Sequence, residues 1–320
     1  MTHQHTIPIF FAADDGYVPY LAVAINSLLS NASPDYNYNI IVLSQDISEE
    51  NCRRIRALAA DHAQIEFVSM KDRIQGITDR SSNYLRCDFF TLTIYYRLFI
   101  PAMFPEYDKS IYIDSDVVLT GDISELYNIE MGENFIGACP DFSVQEIEPF
   151  VQYIENVVGV KKDEYINSGV LLMNLDRLRK AQLDKRFLEL LEKYHFDTIA
   201  PDQDYLNALC HGNILYLPEC WDTMPRQNTP PLPAPKLIHY NLFFKPWCYD
   251  NIQYEEFFWK YAETSGYLNE ILECKRNYDA RKKLADRRCL EKMLQTSTTL
   301  LNKAVTFHSI LGSGREQRLA

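Results

Sequence analysis

The apolar and polar positions alternate in a regular rhythm over the first third of the chain. Ile7–Ala13 is a short apolar run that stops at Asp14-Asp15-Gly16-Tyr17, which predicts a buried strand and then a turn. From Pro19 to Leu29 the apolar residues Leu21, Val23, Ala24, Ile25 and Leu28 recur at helical spacing. Asn39–Leu43 predicts a second strand. Ile47 to Ala60 predicts a helix capped by Ser48, with Glu49 and Glu50 in its first turn. Ile65–Met70 predicts a third strand. Strands alternating with helices in this way indicate a parallel sheet covered on both faces. Asp72 to Asp88 is polar and irregular and reads as a mobile loop. Thr91–Ile100 reads as an apolar helix whose single charge, Arg97, requires a partner, either a carboxylate or a bound phosphate.

The stretch Ile111–Leu119, Ile-Tyr-Ile-Asp-Ser-Asp-Val-Val-Leu, is the centre of the chain. Read as one extended segment, it points Asp114 and Asp116 the same way and Ser115 the other. Two carboxylates at the end of a buried strand repel each other unless a cation sits between them, and a divalent ion with oxygen ligands meets that need. The plainer reading is a pair of turn aspartates. Strand carboxyl ends are also where open α/β sheets bind ligands.

Further along, Phe135–Cys139 predicts another strand, and Val144 to Val158 a helix that gives way to loop. Asn167 and Ser168 sit at the mouth of the apolar strand Val170–Met173, either as turn residues or as readers of sugar hydroxyls, and Asn174 then caps a helix. Asp202, Gln203 and Asp204 open a helix. Asp202 suits an N-cap, and the three also suit hydroxyl recognition at a positive helix end. Ile214–Leu217 is a strand, and Thr223 to Pro235 is a proline-rich loop. In Lys236–Trp247 a strand delivers His239 and a loop delivers Lys245. An imidazole added to carboxylates favours Mn or Fe over Mg, and Lys is a point charge suited to a leaving phosphate.

The net charge of −12 argues against nucleic-acid binding. It is unevenly spread, because Lys275–Ala320 holds 11 Lys and Arg against 4 Asp and Glu. This predicts an acidic body, residues 1–274, and a basic amphipathic helical tail, residues 275–320. The tail suits an anionic membrane surface, or packs on the body or on an acidic neighbour. Its last residues, Gly312–Ala320, read as disordered. The eight cysteines form no Cys-x-x-Cys pair, which argues against zinc knuckles and redox motifs and for ordinary reduced thiols. No leader-like stretch opens the sequence, and no apolar run approaches the roughly 18 residues of a membrane span, so the expectation is a cytoplasmic protein, peripheral at most. No Gly-x-Gly-x-x-Gly follows the first strand and no P-loop is present.

Taken together, Phe11-Ala12-Ala13-Asp14-Asp15, the Thr93–Leu98 segment with Arg97, Asp114-Ser115-Asp116, Asn167-Ser168-Gly169-Val170-Leu171, Asp202-Gln203-Asp204 and His239 through Lys245-Pro246-Trp247 resemble, in order and spacing, the family 8 retaining glycosyltransferases. These include bacterial lipopolysaccharide galactosyl- and glucosyltransferases and, more distantly, glycogenin. The resemblance implies an α/β GT-A fold, a Rossmann-like and mostly parallel sheet flanked by helices. It implies hexose transfer from a UDP-sugar, UDP-glucose or UDP-galactose, to a saccharide acceptor, with Mn²⁺ or alternatively Mg²⁺. By the same resemblance Asp114, Asp116 and His239 hold the metal, and Ala12 and Asp14 line the uridine pocket. Arg97, Asn167 and Asp202 hold the donor sugar, with Ser115 and Ser168 beside it, while Gln203 lies beneath the anomeric carbon and Lys245 grips the diphosphate. Two positions depart from the family pattern: Leu242 stands where relatives commonly have Gly, and Gly16 where they often have Asn. Asp114-Ser115-Asp116-Val117-Val118-Leu119 also fits the nucleophile strand of haloacid-dehalogenase-like phosphatases, but the late acidic pair those enzymes need is absent. A non-catalytic sugar-nucleotide binding module is the other alternative.

Overall fold

The computed structural model describes residues 6–71, 92–226 and 229–320. The predicted loop Asp72–Asp88 lies outside the described residues. β1 (Thr6–Ala12), β2 (Asn37–Ser44) and β3 (Ala63–Ser69) run parallel, joined by helices α1 (Val18–Asn31) and α2 (Glu49–Arg56). Ser48 caps α2 as its position predicts, accepting from the Asn51 N–H. After the short α3 (Ile100–Met103), β4 (Lys109–Ile113) joins the other side of β1 in parallel. β5 (Val117–Leu119) leaves this sheet, and α4 (Ile123–Tyr127) follows it. β6 (Ile136–Ala138), β7 (Val170–Asn174) and β8 (Ile214–Tyr216) complete a seven-stranded sheet of order β3-β2-β1-β4-β7-β6-β8, in which β7 alone runs against the rest. β9 (Leu237–His239) pairs antiparallel with β5.

Alternation along the strands divides the core into two layers. Ile9, Phe11, Ile40, Val42, Ile111 and Ile113 face the layer packed with α1 and with α9 (Glu255–Ala262). Phe10, Ile41, Leu43, Tyr112, Leu171 and Met173 face the other. That second layer is covered by α5 (Glu148–Tyr153), α6 (Leu175–Lys180), α7 (Leu183–Tyr194) and α8 (Pro201–Cys210). A period of two on each strand, apolar on both faces, is what a doubly covered sheet demands.

Three expectations are corrected. Ile111–Leu119 is not one strand: β4 stops at Ile113, the chain bends through Asp114-Ser115-Asp116, and β5 belongs to the second sheet. The helix expected over Thr91–Ile100 and carrying Arg97 is shorter, Leu92–Leu98, and of the 3₁₀ type. The C-terminus is not loose, because the Leu319 N–H donates to the Leu209 carbonyl at 3.1 Å, Arg318 donates to the Ala208 carbonyl, and Glu316 pairs with Arg186 and Lys193.

The basic tail begins in the last turn of α10 (Leu268–Arg276) and forms α11 (Ala280–Leu300). The inner side of α11 buries Asp286, Met293, Ser297 and Leu300, and the helix packs on α5. Beyond it Phe307, fully buried, lies 4.1 Å from the Phe196 ring and 4.8 Å from Tyr205. Burying one such side chain stabilises by about 1.5–3 kcal/mol, so this part of the tail is core. Arg281, Lys282, Arg287, Arg288 and Lys292 remain exposed on its outer side. Among the described residues, no helix is long and apolar enough to cross a membrane. Among the described residues six cysteines are free thiols, as expected of most of them, and Cys289 is disulfide-bonded.

Candidate active site

The carboxyl ends of β1, β4 and β6 and the start of the reversed β7 meet at one edge of the sheet, and the predicted residues converge there. The bend after β4 is held from both sides. The Asp114 N–H donates to the Gly169 carbonyl at 2.7 Å, and the Ser115 hydroxyl donates to the Ala12 carbonyl at 3.0 Å. Pairing of β5 with β9 sets Val117 opposite His239, and the Tyr240 N–H donates to the Asp116 carbonyl at 2.9 Å. The imidazole is thereby delivered to the carboxylates: His239 Nε2 is 3.4 Å from Asp116 Oδ1 and 4.0 Å from Asp114 Oδ2. One ligand atom from each of the three residues lies within 4.8 Å of the others. The two aspartates do share a side, but a bend between sheets achieves it, not strand alternation.

Cations crowd these carboxylates. Lys245 pairs with Asp116 and also donates to the Tyr240 carbonyl at 2.8 Å. Burial works to raise Asp116, yet Lys245 and His239 hold it below the usual carboxylate range. Burial also works against a charged imidazole, but the Asp222 and Asp116 carboxylates outweigh it and push His239 up to about 10. Asp222 accepts from His239 Nδ1 at 3.0 Å and orients the ring, leaving Nε2 towards the aspartates. Its other oxygen, Oδ2, is buried with no hydrogen-bond partner. Asp114 is bound by Arg97 at 2.8 Å and by the Tyr112 hydroxyl at 2.8 Å. Arg97 is buried, and a second carboxylate, Asp202, lies 3.3 Å from its Nε. Its partners are therefore carboxylates of the site itself.

Behind this cluster is a buried polar network. Ser168 donates its hydroxyl to Asp202 at 2.8 Å and its N–H to Gln203 Oε1 at 3.2 Å. Gln203 Nε2 and Asn167 Nδ2 both donate to Asp141 Oδ2, at 2.9 and 3.2 Å. Asp202 is not the N-cap of α8. Ala200 takes that position, and Asp202 sits in the first turn facing Arg97. Asp14 acts as a cap, accepting from the Tyr17 N–H at 3.0 Å, and Ala12 reaches the bend through Ser115. Leu242 takes φ +54, the left-handed conformation usual for Gly. The departure from the family pattern thus keeps the Gly-like backbone and adds a side chain. Gly16 is not among the residues of positive φ. Sequence reasoning missed Asp141, Asp222 and Tyr112. Asp141 follows a strand end just as Asp114 does, a signal that was available. Asp222 sits beside a proline-rich loop and gave none.

Residues 8–251 match the model of glycosyl transferase family 8. The chain belongs to that family. It is 26% identical over 298 residues to the lipopolysaccharide 1,2-glucosyltransferase of Escherichia coli K12, covering 84% of this chain and 83% of that one. Against a solved complex of the galactosyltransferase LgtC with donor and acceptor sugar analogues, the TM-score is 0.68 at 29% identity, covering 81% of this chain and 96% of that chain. The bifunctional WbbM glycosyltransferase shares the fold, with TM-score 0.73 at 23% identity over 86% of this chain. The family 8 chain spans 52% of WbbM and 62% of a Haemophilus influenzae relative to which it is 27% identical over 215 residues. The fold is accordingly the GT-A glycosyltransferase fold, and the phosphatase alternative falls.

The donor set fits a divalent cation. Two carboxylates and an oriented imidazole are hard and borderline ligands, and the space between them exists only because residue 169 is Gly. A Cβ there would lie 2.3 Å from His239 Cε1 and 2.8 Å from Asp114 Oδ2. Gly169→Ala should therefore weaken binding of a divalent cation, probed with Mn²⁺, about tenfold or more, in line with losses seen when metal ligands are misoriented. Titration calorimetry of the purified variant, checked for an unchanged circular dichroism spectrum, measures this. Unaltered Mn²⁺ affinity would mean that the ion binds elsewhere.

Proposed function

We propose that this chain is a retaining hexosyltransferase that moves glucose or galactose from a UDP-sugar to a saccharide acceptor. The convergence of Asp114, Asp116 and His239 beside Lys245 is the observation that carries this reading. Asp114, Asp116 and His239 would hold Mn²⁺, with Mg²⁺ the alternative, which supplies a Lewis acid to the departing diphosphate. Lys245, held by Asp116 and the Tyr240 carbonyl, presents its charge to a phosphate oxygen. Ala12, Asp14 and Ser115, at the end of β1 and the adjoining bend, line the nucleotide side. Arg97, Asn167, Ser168 and Asp202 surround the sugar, with Arg97 fixing the carboxylates rather than meeting phosphate directly.

Retention commonly uses a carboxylate nucleophile, and the amide of Gln203 is a poor one. The reading adopted is same-face attack, in which the leaving phosphate accepts the acceptor's proton. Gln203 Oε1 receives the Ser168 N–H and keeps a second lone pair for the cation-like sugar, while Asp141 holds its Nε2. The relatives' printed acceptors support a saccharide of the lipopolysaccharide type as the acceptor class. Residues 1–274 would carry the transferase, and the exposed cations of residues 275–320 would face anionic lipid from the cytoplasmic side.

Three measurements test these readings. A panel of UDP-glucose, UDP-galactose and UDP-N-acetylglucosamine with Mn²⁺ should release UDP slowly from a hexose donor, and chelation should abolish the release. Tight donor binding with no turnover on any of the three would indicate a binding module. Gln203→Ala should lower turnover by about a hundredfold or less, whereas complete loss with a sugar adduct detected by mass spectrometry would favour a covalent route. The protein should co-sediment with vesicles containing phosphatidylglycerol and be released by salt. Equal sedimentation with phosphatidylcholine alone would refute the electrostatic contact.

A further inference from the structure

The turn that follows Lys245 is tied to the end of α10. Lys275 Nζ donates to the Pro246 carbonyl at 2.8 Å and to the Tyr249 carbonyl at 2.9 Å, and pairs with Asp250 at 3.0 Å. Within the turn the Cys248 N–H donates to the Lys245 carbonyl at 2.9 Å. Trp247 stacks on Tyr20 of α1, with ring centroids 4.1 Å apart and planes 17° from parallel. The Tyr20 hydroxyl in turn donates to Cys274 Sγ at 3.1 Å. The Lys275 contacts bring Cys274, on α10, beside Cys248 in the turn, where the two thiols interact. Both are free, partly exposed cysteines brought together from 26 residues apart in the sequence.

We propose that Cys274 and Cys248 form a peroxide-reactive dithiol, Cys274 attacking and Cys248 resolving. A thiolate is the reactive form of cysteine, and a reactive site is electropositive or donor-rich, partly exposed, and close to a second thiol. This pair meets each condition. The neighbouring Cys248 thiol and the Tyr20 hydroxyl, which donates to Cys274, favour the Cys274 thiolate against the effect of burial. The Lys282 charge on α11 adds to these, and together they lower Cys274 to about 6. Beside it, Cys248 is raised. The other thiols lack this setting. Burial raises Cys52, and Cys210 is pushed up to about 12 by burial alone.

The chemistry balances with hydrogen peroxide as the oxidant. The Cys274 thiolate attacks one peroxide oxygen, the O–O bond breaks, and the other oxygen leaves as hydroxide and is protonated to water. The Cys248 sulfur then attacks the Cys274 sulfenic acid, and the expelled hydroxide takes the Cys248 proton. Two thiols lose two electrons and one peroxide becomes two waters. The product ties α10 covalently to the turn that begins at Lys245.

The test uses the full chain at pH 7. Limiting iodoacetamide, read by peptide mass spectrometry, should label Cys274 about tenfold faster than Cys52 or Cys220. Peroxide followed by thiol blocking should yield a cross-linked pair of peptides containing residues 248 and 274, two hydrogens lighter and restored by dithiothreitol. In Cys248→Ser, Cys274 should instead be trapped by dimedone. Tyr20→Phe should slow Cys274 labelling several-fold. Labelling of Cys52 or Cys220 as fast as Cys274, or peroxide treatment without the 248–274 cross-link, would overturn the proposal. The labelling order in the unmodified protein decides even if a variant fails to fold.

Discussion

Two carboxylates forced together at a sheet edge are the constraint that organises this molecule. With candidate ligand atoms within 4.8 Å of one another, Asp114 and Asp116 repel by roughly 3 to 4 kcal/mol at an effective dielectric near 20. That is a sizeable part of a domain's net stability. The fold meets it by converging cations from three separate segments: Arg97 from the 3₁₀ turn before β4, His239 from the end of β9, and Lys245 from the loop beyond. Each is itself buried or nearly so and needs the aspartates as much as they need it. The arrangement is a closed set of mutual debts in charge, and an entering divalent ion would rearrange it rather than fill a neutral hole.

The polar network behind this cluster divides the labour of α8. Asp202 turns to Arg97 and Ser168, and Gln203 turns to Ser168 and Asp141. Asp204 turns inward, accepting from the Tyr153 and Tyr165 hydroxyls at 2.7 and 2.6 Å and from the N–H groups of Ile199 and Ala200. Three adjacent residues that look alike in the sequence therefore do different things. Two face the site, and the third holds the first turn of the helix to the core. Buried polar groups with every partner supplied rigidify what they connect, which suits a helix that must present an amide at a fixed place.

Leu242 shows how backbone geometry can outlast a change of residue. The left-handed conformation costs a non-glycine residue about 1–2 kcal/mol. It persists here because the surrounding chain is pinned on both sides: by His239 in the β5–β9 pair, and by Lys245 on Asp116. The Leu242 side chain, partly buried against the second apolar layer, offsets part of that strain. The same loop continues into the Trp247–Tyr20 stack and the Cys248–Cys274 pair, so the nucleotide side of the site and α10 are mechanically continuous.

Periodicity and single-residue chemistry were enough to foresee the alternating strands and helices, the doubly covered sheet and the Ser48 and Asn174 caps, because those features depend on local spacing; the grouping of Asp114 and Asp116 with the distant His239 came from the family resemblance. Periodicity misjudged the extent of the central strand, since a chain that leaves one sheet to join another keeps the same apolar alternation through the bend. It also misjudged the C-terminus, whose polar composition hides Leu319 and Glu316 finding partners on α7 and α8. Asp222, Asp141 and Tyr112 acquire their roles only from what lies beside them across 17, 62 and 2 residues. Sequence determines which groups carry charge and which segments must be buried. Only the folded chain decides which charges face each other, because electrostatic and hydrogen-bond energies fall off over ångströms and neighbours in space need not be neighbours in the chain.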